Sequence, residues 1–128
     1  MKANTITKES IDKLVRTFYP TILADPITAP FFIAKLGSDI NSQVWQEHLE
    51  LLSNFWAMQA LGDLSYRGSP LAPHFGLEGL GKEAFERWLE LFEAAIDKVY
   101  EPSAGVFFKE RSHMIARNFM VNLGISAN

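Results

Sequence analysis

Few residues in this chain can do chemistry, and their types narrow the choices quickly. Of 128 residues none is Cys and three are His, which removes disulfides, thiolate zinc sites, iron–sulfur clusters and cysteine nucleophiles together. The imidazoles are His48, His74 and His113. No two are three or four positions apart, so a zinc or di-iron carboxylate site carried on one helix face lacks its ligands. Gly76 to Lys82 opens like a phosphate-binding loop, but Glu83 stands where a Ser or Thr hydroxyl is required and no strand precedes it. Serines are plentiful, yet there is no Gly-x-Ser-x-Gly elbow and no α/β pattern to present one. What remains is His74 and His48 with the Tyr19 phenol and the Trp88 indole. Set among Phe and Leu, these describe a flat apolar cavity with a few polar groups, the kind a cofactor occupies.

The elements that must position these groups are helical. From Ile11 the apolar residues Leu14, Val15, Phe18, Tyr19, Ile22 and Leu23 follow one face of a helix. Thr7 is its predicted N-cap, Asp25-Pro26 its stop, and Pro20 is expected to kink or subdivide it. A short aromatic segment, Pro30-Phe31-Phe32-Ile33, precedes a break at Gly37-Ser38-Asp39. Asn41 or Ser42 caps a second long helix that carries Val44, Trp45, His48, Leu49, Leu52, Phe55, Trp56 and Met58 or Gln59, with His48 on its apolar face, and ends at Gly62. A third, Lys82 to Glu101, buries Phe85, Trp88, Leu89, Phe92, Ile96 and Val99 and shows its glutamates to water. A fourth runs from Pro102, well suited to a first helical position, to Gly124, with Phe107, Phe108, Met114, Ile115, Phe119 and Val121 expected inward. No stretch alternates with period two. The class expected is all-α, four main helices with short helical extras, in a single domain over 1–128.

Between the second and third helices lie about twenty residues, a length uncommon in compact domains unless functional or disordered. This segment carries Leu71, His74, Phe75, Leu77 and Leu80, too apolar for a solvated linker. A lone loop histidine is ordinarily satisfied by water or backbone, and an aromatic helix stripe is ordinarily core. The apolar setting of His74, opposite a helix with His48 on its inner face, argues for a ligand instead. A haem fits: one neutral imidazole binds the iron and the other face meets hydrogen-bond donors.

Several short segments carry a resemblance to a family. Phe18-Tyr19, Pro30-Phe31-Phe32, Trp45-Gln46-Glu47-His48, Asn54-Phe55-Trp56, the run from Tyr66 to His74 and Phe85-Glu86-Arg87-Trp88-Leu89 resemble the truncated haemoglobins of bacteria, third group, over about Ser10 to Val121. The glycine pairs typical of the other truncated groups are missing, as the third group implies; Pro20 directly after Tyr19 departs from the pattern. The resemblance implies a globin-like two-over-two helical sandwich holding one haem b (iron protoporphyrin IX), with His74 as the proximal iron ligand. It implies a distal site of Tyr19, His48, Leu52 and Trp88, with Phe32 packed on the porphyrin and Trp56, Leu71 and Phe75 also against the haem.

In those roles His74 must be neutral, its second ring nitrogen donating to a carbonyl in the Pro70 to Pro73 stretch. Bound dioxygen carries partial negative charge, which Tyr19 O–H and Trp88 N–H can both meet. His48 either joins that cage, gates it or packs at the haem edge, and His113 is structural or at the surface. The expected function is a haem protein binding dioxygen and other diatomic ligands at a pentacoordinate iron. A polar cage favours retention over delivery, so redox work such as nitric-oxide or peroxide detoxification is expected rather than bulk transport, with a reductase as candidate partner. The alternatives are a cofactor-free helical interaction module and a haem-based sensor, the latter disfavoured because the chain carries no output domain.

Composition sets the boundaries of this reading. At 48% apolar and 21% charged the chain is globular in character. A net charge of −3 with scattered Lys and Arg argues against nucleic acid. Met1 to Ser10 is polar and no apolar run approaches the ~18–20 residues needed to span a bilayer, so no membrane association and a cytoplasmic location are expected.

Overall fold

The structure, a computed structural model, describes residues 2–63 and 80–125. Five helices lie among them: α1 (Lys8–Ala24), α2 (Ala29–Leu36), α3 (Gln43–Leu61), α4 (Lys82–Val99) and α5 (Pro102–Asn122). The all-α expectation holds, and the aromatic segment after Asp25 is itself a helix, α2, entered through Pro30 in its first turn.

Each helix begins and ends for local reasons. Thr7 caps α1 by accepting the Ser10 amide, while the Ser10 hydroxyl reaches back to the Thr7 amide, closing a capping box. Ser42, rather than Asn41, caps α3 by accepting the Trp45 amide. Gly62 ends α3 with φ +72°, a conformation that costs residues with a Cβ. The third predicted helix was expected to reach Glu101, but α4 stops at Val99. Pro102 disfavours a helical residue before it, and Glu101 is extended; Ala3 then bridges Tyr100, donating to the Val99 carbonyl at 2.8 Å and accepting from Glu101 at 2.8 Å.

The expected subdivision at Pro20 does not occur; α1 continues through it to Ala24. Proline there forfeits one backbone bond, to the Arg16 carbonyl, but its ring is exposed. Buried Phe18 and Tyr19 before it and Ile22 after it hold both halves against the same neighbours. Each such side chain contributes about 1.5–3 kcal/mol by leaving water, which outweighs one missing hydrogen bond.

α1 is the hub. It packs against α2, α3 and α4, and α4 packs against α5, so the pair α1/α3 faces the pair α4/α5 as a two-over-two sandwich. The core between the layers is built from Ile11, Leu14, Val15, Phe18 and Ile22 of α1, Trp45 and Leu49 of α3, Phe92 and Ile96 of α4 and Phe108 of α5. Gly105 lets α5 lie close on α4: a Cβ there would stand 2.8 Å from the Ile96 Cγ2 methyl. Among the described residues no helix is long and apolar enough to cross a membrane.

Candidate functional site

Tyr19 lies on the inner face of α1, one turn after Val15, and is 4% exposed. Around its ring stand Phe32 of α2 at 5.9 Å, Trp45 and His48 of α3 each at 6.0 Å, and its neighbour Phe18 at 4.7 Å between centroids. From α4, the Trp88 side chain comes within hydrogen-bonding reach of the Tyr19 hydroxyl and meets the Phe18 ring edge-on at 5.2 Å. Four helices therefore place Tyr19, Phe32, His48 and Trp88 in one cluster. Pro20 does not turn the phenol outward, because the proline faces solvent while its predecessor stays on the buried face.

The electrostatics of this group are simple. Burial pushes the Tyr19 phenol well above its ordinary value, and the Trp88 bond offsets only part of that. Tyr19 is thus a neutral O–H. Indole can only donate, so toward Trp88 the Tyr19 oxygen can only accept, and that partner does not use the phenol hydrogen. The remaining polar atoms of the cluster belong to the His48 ring, seated edge-on against Trp45 at 5.5 Å.

The outward side of the cluster is apolar and part-covered. Phe32, Leu52 and Trp88 pack against the core yet remain half-buried, as does His48. Trp56 is placed differently. It is 3% exposed, stacks on Phe92 at 5.3 Å and meets Phe55 and Phe108, so it joins the cluster through Phe92, which stacks on Trp88 at 4.8 Å. His113 is exposed on α5, 3.4 Å from Glu93. His74, Leu71 and Phe75 lie outside the described residues.

Two contributors escaped the sequence reading. Trp45, read only as a core position, is fully buried; it donates its indole N–H to the Gly37 carbonyl at 2.8 Å and stacks on Phe32 at 6.1 Å. Its place one turn before His48 was the available signal. Asp25, read as a helix stop, is a buried carboxylate. Its Oδ2 accepts from the Ile27 amide at 3.0 Å and the Thr28 amide at 3.1 Å, and its Oδ1 accepts from Arg87 Nε at 2.8 Å. Burial alone would raise the Asp25 pKa; the Arg87 guanidinium and the Thr28 and Ile27 amides prevail and hold it below the usual carboxylate value.

With this geometry in place the chain can be set beside known proteins. No protein-family model matches it. Among curated proteins, the group 3 truncated haemoglobin of Campylobacter jejuni is 38% identical over 119 residues, covering 93% of this chain and 92% of that protein. Among solved structures, the crystal structure of group III truncated haemoglobin from Campylobacter jejuni superposes with a TM-score of 0.89 at 37% identity, covering 96% of this chain and 95% of the other. Identity at that level along nearly the full length, in the same helical sandwich, means that the chain belongs to the group 3 truncated haemoglobins.

Proposed function

We propose that this chain, one domain over 1–128, binds one b-type haem through His74. The face formed by Tyr19, His48, Leu52 and Trp88 is then the distal side for dioxygen and related diatomic ligands. The observation that carries the proposal is the convergence of a phenol, an imidazole and an indole from three helices on one apolar cluster, in a relative of proteins named truncated haemoglobins. The donor set suits such a group: half-buried Phe32, Leu52 and Trp88 offer a flat apolar wall, and the polar atoms beside them are neutral hydrogen-bonding groups.

A bound haem would supply an iron that takes a diatomic ligand and changes oxidation state. The rest falls to side chains. His74 would hold the iron as a neutral imidazole. Phe32 would pack on the macrocycle with Leu71 and Phe75 in the apolar surround, and Trp56, read from the resemblance as a haem contact, would back that surround through Phe92. Trp88, directing its single N–H at the Tyr19 oxygen, would aim the phenol, and the Tyr19 O–H would be the group offered to a polar diatomic ligand. Trp88 would then act as the orienter of that donor. His48 closes the cluster at its part-exposed edge. A ligand held this way leaves slowly, which suits redox detoxification of nitric oxide or peroxide, with electrons from a reductase in the cytoplasm, better than delivery of oxygen.

The test is the visible absorption spectrum of the purified protein. A strong band near about 400–430 nm, with a five-coordinate ferrous form, is expected. A protein supplied with haem that lacks this band is instead the cofactor-free helical module.

A further inference from the structure

We propose that the Arg87–Asp25 pair positions Trp88 against Tyr19, setting the rotation and the axial placement of α4 on α1. The inference deepens the distal-site reading and rests on it for its meaning, although the contact itself is independent of any ligand.

Asp25 follows the last residue of α1, and the turn into α2 immobilises it. One oxygen is held by the Ile27 and Thr28 amides, at 3.0 and 3.1 Å. The Thr28 hydroxyl secures the same turn by donating to the Ile22 carbonyl at 2.9 Å. The second oxygen is thereby presented in a fixed direction, and it meets Arg87 Nε at 2.8 Å. The Asp25 side chain is 6% exposed, so this carboxylate is aimed by buried contacts rather than by chance meeting at the surface. Arg87 is 35% exposed, and its Nη1 also reaches Glu90 on its own helix at 3.4 Å.

Arg87 and Trp88 are consecutive residues of α4 and project about 100° apart around its axis. Their partners, Tyr19 on α1 and Asp25 at the C-cap just beyond it, are six positions apart in the chain, about 9 Å at the helical rise. Two contacts from neighbouring residues to well-separated points fix both rotation and slide, which either contact alone leaves free. A side-chain tip about 6 Å from the helix axis moves roughly 2 Å for a 20° rotation, enough to break a hydrogen bond. Phe18 offers Trp88 a ring edge but no directional constraint of that kind. The charged pair supplies direction, so Arg87 and Asp25 are positioning residues for the donor pair.

The experiment compares the parent protein with Arg87→Gln, Arg87→Lys, Asp25→Asn and the Arg87→Gln/Asp25→Asn double variant, as purified and in the ferrous carbon monoxide complex. The readouts are the Trp88 indole ¹H–¹⁵N resonance, the C–O stretching frequency and ligand dissociation rates. Arg87→Gln and Asp25→Asn are each expected to shift the Trp88 resonance and the stretching frequency and to quicken dioxygen release by about 3- to 10-fold; the double variant should add little, because both remove one interaction. Arg87→Lys, which keeps a cation for Asp25, should recover most of the parent signature. If Asp25→Asn does not fold, the Arg87→Gln and Arg87→Lys pair decides alone, since Arg87 is itself partly exposed and the Ile27 and Thr28 amides still hold the Asp25 carboxylate when the guanidinium is gone. An unmoved Trp88 resonance in Arg87→Gln, with only the melting temperature lowered, overturns the proposal. Absence of a haem spectrum in the parent would refute the distal-site reading separately, and the Trp88 resonance would still report on the positioning role.

Discussion

Tyr100 and Tyr19 are both buried, at 1% and 4% exposure, and burial pushes both phenols above their ordinary value. Their hydroxyls meet different partners. Tyr100 lies 2.7 Å from Ser10 Oγ, and that serine already donates to the Thr7 carbonyl at 3.0 Å, so the Tyr100 O–H donates to Ser10. The contact ties Tyr100 to the α1 capping box and consumes the phenol's hydrogen inside the fold. Tyr19 instead receives an N–H from Trp88, a group with no lone pair to offer in return. Its hydrogen is not used by that partner. Around Tyr100 the stacking is closed, with Phe108 at 4.9 Å; around Tyr19 the neighbours Phe32, His48 and Trp88 are left half-covered. A tyrosine that staples and a tyrosine that presents a donor differ in the chemistry of the partner, not in burial.

The most severe break in that contrast would come from the iron ligand. His74→Ala should abolish or greatly weaken haem retention while His113→Ala leaves it unchanged, as measured by haem content per chain and the ferrous spectrum. A normal five-coordinate spectrum in His74→Ala, without added imidazole, would remove the reason for calling the Tyr19 side distal. Circular dichroism of each variant separates loss of ligand from loss of fold.

Next in size is Tyr19→Phe, which deletes only the hydroxyl. A charge-assisted hydrogen bond of about 1.5–3 kcal/mol corresponds to a dioxygen dissociation rate roughly 10- to 150-fold faster. Carbon monoxide, less polar when bound, should change much less in the same stopped-flow experiment. Equal changes for both ligands would mean that the phenol acts by bulk alone.

Tyr100→Phe should do the converse. It removes a neutral buried hydrogen bond, so stability should fall by about 1 kcal/mol in denaturant unfolding, with dioxygen and carbon monoxide rates at parent values. Altered ligand rates in this variant would erase the distinction between the two tyrosines.

The smallest effect concerns Asp25 in acid. Its folded pKa is depressed by Arg87 and the turn amides in spite of burial, so the unfolded chain takes up the proton first as pH falls. The resulting stabilisation is complete above the unfolded value of about 3.9 and disappears as pH drops below it through the folded value. Thermal midpoints between pH 7 and pH 3 should therefore decline less steeply in Asp25→Asn than in the parent. Parallel declines would show that the carboxylate gains nothing from its partners.

The helical class and the inner face of α1 were legible in the chain alone, because a period of 3.6 in buried residues such as Leu14, Val15, Phe18 and Ile22 leaves one way to hide them. Val44 of α3 and Met114 and Val121 of α5, counted with the apolar faces, are instead exposed: α5 packs chiefly on α4, which covers only one side of it. Thr7, Ser42, Gly62 and Pro102 marked ends for equally local reasons: their side chains, or at Gly62 the lack of one, act on amides and dihedrals within a few residues. The resemblance over six short segments also picked out Tyr19, Phe32, His48 and Trp88, which the fold brings together. Two local expectations gave way to tertiary packing. Pro20 does not subdivide α1, since burial on both sides of it outweighs one lost hydrogen bond. α4 stops at Val99, where Ala3, nearly a hundred residues away in the chain, takes up the backbone bonds around Tyr100. The bond from Trp88 to Tyr19 and the pairing of Arg87 with Asp25 span more than sixty residues of chain, and no periodicity or cap encodes them. Such contacts depend on the relative rotation of two packed helices, a quantity that only the assembled core defines.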